Sequence, residues 1–363
     1  MFEKRMPKKF KKRKKIQKHF TLQTILFFLF LLIIFSLLLI DLLKNQKEIL
    51  ICGDETLYGE CSLTKPYFCL DGTLIEKASI CNCSEILMKS QDLCISKYQS
   101  NPKNITLKYI LRGEEKELEY VVYRDAIDYF SNFPKSFDYK LTEKYFRKDF
   151  ILKKIEEKEQ RELLLSLVIG IQNIAKDQTD QVRIAVSIVQ NLQYNNSGEI
   201  IDIGFNNDLN YSRYPYEVLY DMEGVCGERS ELLIFLLKEM GYGVVLFHYP
   251  LENHQTVGIK CPVEHSLNNS GYCFIETTGP SIITNNKDYY VGGRKLSSEP
   301  EIIFISDGNS LSENLYEYRD SKNLIRINKI IEEKGKINLL DKYKLEKIKK
   351  RYGLYFLYSS KDS

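Results

Sequence analysis

The 363-residue chain reads as an α+β protein, a helix packed on an antiparallel sheet, preceded by a transmembrane helix and a small disulfide-rich module. Three observations predict this. Residues 20–40 carry no charge and are largely apolar, and six of the nine cysteines crowd into residues 52–94. An apolar helical run ending near Met240 is then followed by three segments of β pattern.

Residues 1–19 hold ten bases (Lys4, Arg5, Lys8, Lys9, Lys11, Lys12, Arg13, Lys14, Lys15 and Lys18) against the single acid Glu3. At helical rise, the uncharged run from Phe20 to Ile40 covers about 30 Å, the thickness of a hydrocarbon core. A helix over residues 20–43 is therefore expected to span the lipid bilayer. Its basic side would lie in the cytoplasm and the bulk of the chain outside. A cleaved signal peptide is the rival. The long basic region and the charged, bulky "DLLKNQKEIL" in place of a small-x-small site favour an uncleaved signal-anchor. Membrane topology also accounts more simply than nucleic-acid binding for the charge of the tail. Without its ten bases and one acid the chain has 42 Lys and Arg against 48 Asp and Glu, a balance of −6. The exposed part thus offers no basic surface for nucleic acid, and no segment calls for a cofactor or a phosphate.

Residues 44–100 form the cysteine-rich module, with Cys52, Cys61, Cys69, Cys81, Cys83 and Cys94. So short and turn-rich a segment cannot hold itself together by burial alone. An even set of cysteines outside the cell reads as three disulfides with fifteen possible pairings. Zinc is the runner-up, but the segment has no histidine and the exterior is oxidising.

In residues 101–177, "NITLKYILRGEEKELEYVVY" reads as a hairpin turning near Arg112–Glu115. A helical region follows, most clearly in "KKIEEKEQRELLLSLVIGIQNIAKD". A further helix is expected near Asp180–Leu192, opening the core at 178–290. Its partner is a helix from about Glu228 to Met240, apolar nearly all round and closed by Gly241. The runs "GVVLFHYP", "HQTVGIK" and "GYCFIETT" read as strands. The polar, aromatic loop at 195–215 offers Tyr211, Tyr214 and Tyr216 either to a cleft or to packing. Residues 291–363 add a strand, "EIIFIS", and helices near 310–333 and 340–352.

Cys226, His254 and Glu276 follow one another across this core in the order nucleophile, base, orienting carboxylate. A thiol attacks a carbonyl as thiolate, and a cysteine at a helix start facing a histidine is favoured in that form. The carboxylate would fix the tautomer of the imidazole. Oxyanion donors would be the backbone N–H of Cys226 and, as weaker candidates, Gln255 or Tyr220. Each residue alone has a plain alternative, inert packing for the cysteine and a satisfied ring for the histidine. Cysteine arithmetic favours the active reading. A bridge between Cys261 and Cys273 would join neighbouring strands and pair eight thiols, leaving Cys226 over.

From about Asp180 to Pro280 the chain resembles a transglutaminase-like domain, a branch of the papain-like cysteine-enzyme fold. The resemblance rests on "YPYEVLYDMEGVCGERSELLIFLLKEMGY", on a histidine opening a strand and on "FIETTGP". It implies Cys226 as nucleophile, His254 as general acid/base and Glu276 as third member, where many members carry aspartate. The expected activity is that of a thiol peptidase or amidase acting on a protein or peptide, with no metal. A cross-linking acyltransferase and a non-enzymatic binding scaffold are the alternatives. Thiol–disulfide exchange is disfavoured because there is no C-x-x-C.

Overall fold

Four antiparallel strands make the main sheet, in the order Tyr272–Ile275, His254–Lys260, Val244–Tyr249 and Glu301–Ser306. In this computed structural model residues 25–36, 51–133, 147–194, 213–284 and 296–354 are described. Every residue of the inner strand Val244–Tyr249 is buried, as expected for a strand covered on both faces. Alternation divides it between two clusters. Val244 and Leu246 join the main core, while Val245, Phe247 and Tyr249 pack with Leu267 and Phe274 on the other side. Between them Gly258 leaves no room, since an added Cβ would lie 2.5 Å from Val245 and 2.7 Å from the Phe247 ring. Gly258→Ala is expected to lower unfolding stability by about 1–3 kcal/mol, read as a lower urea midpoint at unchanged slope.

Helix Cys226–Glu239 lies on the sheet, with Leu232 to Leu237 all buried. It is apolar all round because helices Arg147–Ile155, Lys158–Ile174, Gln178–Gln190 and Pro215–Asp221 contact it as well. The helical stretch across residues 153–177 is shared between two helices, Arg147–Ile155 and Lys158–Ile174. Glu157 breaks it, acting as N-cap by accepting the Gln160 N–H at 2.7 Å. The hairpin Pro102–Leu111 and Glu114–Tyr123 turns at Arg112–Gly113 with φ of +56° and +88°, the handedness a two-residue hairpin turn demands. Its buried Ile105, Leu107 and Tyr109 join the main core.

The six clustered cysteines pair as Cys52–Cys69, Cys61–Cys81 and Cys83–Cys94, and Cys261 pairs with Cys273. The cysteine-rich segment from Cys52 to Cys94 falls in the same compact unit as the sheet and its helices. Asn173 holds both backbone groups of Leu74, accepting its N–H at 2.8 Å and donating to its carbonyl at 3.0 Å. Gly53 presses so closely on the Gln172 carbonyl that an added Cβ would lie 2.0 Å from its oxygen.

At the C-terminal side, helices Tyr316–Lys334 and Leu339–Tyr352 pack through Leu324, Ile327, Leu345 and Ile348, each ending on a left-handed glycine, Gly335 and Gly353. In the separate unit 1–50, residues 25–36 are helical with their apolar side chains exposed. Among the described residues no helix is long and apolar enough to cross a membrane. The remainder of the span expected at 20–43 and the basic tail lie outside the described residues.

Candidate active site

Three elements deliver the three candidate residues. Cys226 is the first residue of its helix, His254 opens a strand and Glu276 directly follows the neighbouring strand. Pairing of Val257 with Ile275 sets the register that puts His254 and Glu276 at the same end of the sheet. His254 Nε2 lies 3.0 Å from Glu276 Oε2, and the Cys226 side chain is near enough to the same imidazole to help raise its pKa. With Nε2 engaged by the carboxylate, Nδ1 is the ring atom left to face the sulfur. Both ends of the pair are buried, whereas Cys226 is partly exposed and is the one free cysteine among the described residues. Reactivity therefore has an open side at the sulfur and a closed side at the carboxylate.

Glu276 is held at both oxygens. Oε1 accepts from the N–H groups of Thr277 and Thr278, each at 2.9 Å, and from Thr278 Oγ1 at 2.7 Å, while Oε2 takes His254. Its backbone carbonyl accepts from Gln190 Nε2 at 2.8 Å. Burial raises the Glu276 pKa, but these bonds and the nearby imidazolium outweigh it and hold the carboxyl below its ordinary range. Burial likewise disfavours charge on His254. The hydrogen bonds to Cys226 and Glu276 overcome that and push its pKa up to about 10.

The helix start is built as firmly. Glu228 reaches back to the N–H of Val225 at 3.1 Å and accepts the Arg213 N–H at 2.8 Å, with the Arg213 guanidinium beside it. Cys226 at this first position has an N–H with no intrahelical acceptor, free to point at a reacting oxygen. Ser230, one turn on, reaches the His254 strand and the turn after Ile275. Its hydroxyl donates to the Gln255 carbonyl at 3.2 Å and lies 3.1 Å from Thr277 Oγ1.

No family model, curated protein or solved structure matches this chain. The site therefore rests on its own geometry.

Of the weaker sequence candidates, Gln255 is close, for its amide would sit 2.8 Å from a Cβ added at Gly227. Tyr220 is not brought in. Its ring lies under Lys103 Nζ, 4.3 Å from the ammonium, and its carbonyl takes a bond from the same group. Tyr214 and Tyr216 are buried packing, with Tyr216 Oη accepting the Tyr123 N–H at 2.8 Å, and Tyr211 lies outside the described residues. Sequence reasoning passed over Thr278, Ser230, Gln190 and Arg229. A signal existed for Arg229, the one arginine in a helix that runs on into the apolar Leu232–Leu237, and for Thr278, a hydroxyl two residues beyond the carboxylate.

Proposed function

We propose that this is a membrane-anchored, extracytoplasmic thiol hydrolase of transglutaminase-like type that cleaves amide bonds in proteins or peptides. The observation that carries the reading is one buried imidazole bonded to Glu276 at 3.0 Å, with the one free cysteine among the described residues, Cys226, close enough to raise its pKa. The Cys226 thiolate attacks the amide carbonyl, and the backbone N–H of Cys226 donates to the oxyanion. His254, as imidazolium, gives its proton to the departing amine, so the C–N bond breaks and a thioester remains. Neutral His254 then takes a proton from water, the hydroxide attacks the thioester, and the thiolate leaves again. Glu276 keeps the ring oriented and stabilises its charge throughout. Water is the proposed acceptor because it is always present and, among the described residues, nothing near the site marks a place for an amine.

Anchoring is proposed through residues 20–43, supported by the uncharged run and the basic tail before it. Four disulfides support an oxidising compartment for the rest.

Intact-mass analysis of the protein with an activated ester tests the chemistry. A mass increase on Cys226 that decays in water supports hydrolysis. Amine incorporation outrunning that decay would make the protein a cross-linker, and no acylation of Cys226 would leave the scaffold alternative.

The pH dependence follows from His254. Its pKa is raised from 6.5 to about 10, so the general acid persists through neutral pH and kcat/KM should fall as pH rises through about 10. The same pairing contributes stability that is full below 6.5 and is lost as pH rises through about 10. A pH–rate profile whose alkaline limb falls near 7 would contradict this.

A further inference from the structure

Arg229 is wholly buried, the largest side chain to be so among the described residues. Its guanidinium donates to the Val189 carbonyl at 2.6 Å and the Thr278 carbonyl at 3.2 Å, while Nε has no hydrogen-bond partner. It makes no ion pair with a described carboxylate, so its direct partners are neutral. A cation taken from water without an adjacent anion is strongly unfavourable unless charge nearby answers it. The titratable groups it faces are Glu276 beyond the strand Tyr272–Ile275, Tyr194 in the strand Gln193–Tyr194 and Cys226 on its own helix. Helix Gln178–Gln190 contributes the Val189 carbonyl and the neutral Gln190. Burial lowers the Arg229 pKa to about 10, and Glu276 opposes that fall, so the group stays charged at neutral pH.

The working triad holds a thiolate, an imidazolium and a carboxylate, which leaves one uncompensated negative charge in a largely buried site. We propose that Arg229 is a positioning residue that supplies the missing positive charge, favouring the anionic forms of Glu276 and Cys226 while fixing the Glu276–Thr278 turn through the Thr278 carbonyl. The proposal rests on the thiol-hydrolase reading of Cys226, His254 and Glu276. The two contacts explain why the charge is delivered by arginine. A planar guanidinium reaches carbonyls on two different elements at once and resists losing its proton.

The test is the pH dependence of iodoacetamide alkylation of Cys226 in the full chain, kept in detergent with its disulfides intact. Wild type, Arg229→Met and Arg229→Lys are compared. Wild type should label with a midpoint well below the ordinary thiol value of about 8.5. Arg229→Met should raise that midpoint by about one unit or more, the usual effect of removing one nearby opposite charge. Arg229→Lys, which keeps the charge and gives up the fork, should stay close to wild type. A wild-type midpoint in Arg229→Met overturns the proposal. So does an ordinary thiol midpoint in Arg229→Lys, which decides the matter even where the methionine variant does not fold. An ordinary midpoint in wild type itself defeats the thiol-hydrolase reading, and the role of Arg229 falls with it.

Discussion

Cys226→Ala is expected to reduce amide turnover by on the order of 10⁶-fold, and His254→Ala by a comparable factor. The two losses should not multiply, because nucleophile and base act as one unit joined through the imidazole. The helix cap should survive in the alanine variant, so any loss of stability should come through the pairing with His254. Cys226 is partly exposed at a helix start, where Glu228 rather than the thiol reaches back to the Val225 N–H. Glu276→Gln should lose less, about 10⁴-fold, since the amide can hold the ring but not balance its charge. Steady-state kinetics on an activated anilide, with urea melts alongside, separate these effects. Turnover in Cys226→Ala equal to wild type would place the chemistry elsewhere.

Lys154→Met is expected to destabilise the fold by about 3–5 kcal/mol. Lys154 and Glu231 are both buried and form an ion pair joining helix Arg147–Ile155 to helix Cys226–Glu239. The ammonium also lies over the rings of Phe150 and Tyr214, 5.6 Å from each centroid. Burial already holds the Glu231 carboxyl above its ordinary range, with Lys154 pulling against it. Removing the lysine leaves a buried carboxyl that must either stay charged or take up a proton. The double variant Lys154→Met/Glu231→Leu should recover most of the loss, since a packed apolar pair removes both desolvation penalties. Urea unfolding of the two variants measures this. A single variant within 1 kcal/mol of wild type would mean that the pair adds nothing.

The core was legible where the pattern is extreme. The helix Cys226–Glu239 holds the apolar run Leu232–Leu237, and the segments after it are bounded by turns, so the helix, the strands and a histidine opening one of them could be read directly, whereas Glu276, read within its strand, directly follows it. Glutamate at 276, where many members of the resembled family carry aspartate, has its two oxygens turned to different partners. One turns to His254 and the other to the Thr277–Thr278 turn. The disulfide pairing within residues 52–94 was not legible, since spacing does not choose among fifteen connectivities. Nor was the docking of that segment onto Asn173 and Gln172, which depends on contacts about a hundred residues apart in sequence. The break at Glu157 escaped because the apolar periodicity continues across it while a side-chain cap restarts the helix. Tyr214 and Tyr216 looked equally suited to a cleft or a core, and burial decided for the core. Arg229 was passed over because charge patterning marks exposed faces well and buried cations poorly.

The most direct test of the central claim is the rate of Cys226 alkylation against pH in the oxidised protein, with His254→Ala measured beside it. An activated thiol should label rapidly well below pH 8.5 and lose that rapid labelling in the variant. Slow labelling that rises only near pH 8.5, the same in both proteins, would show an ordinary thiol and contradict the account.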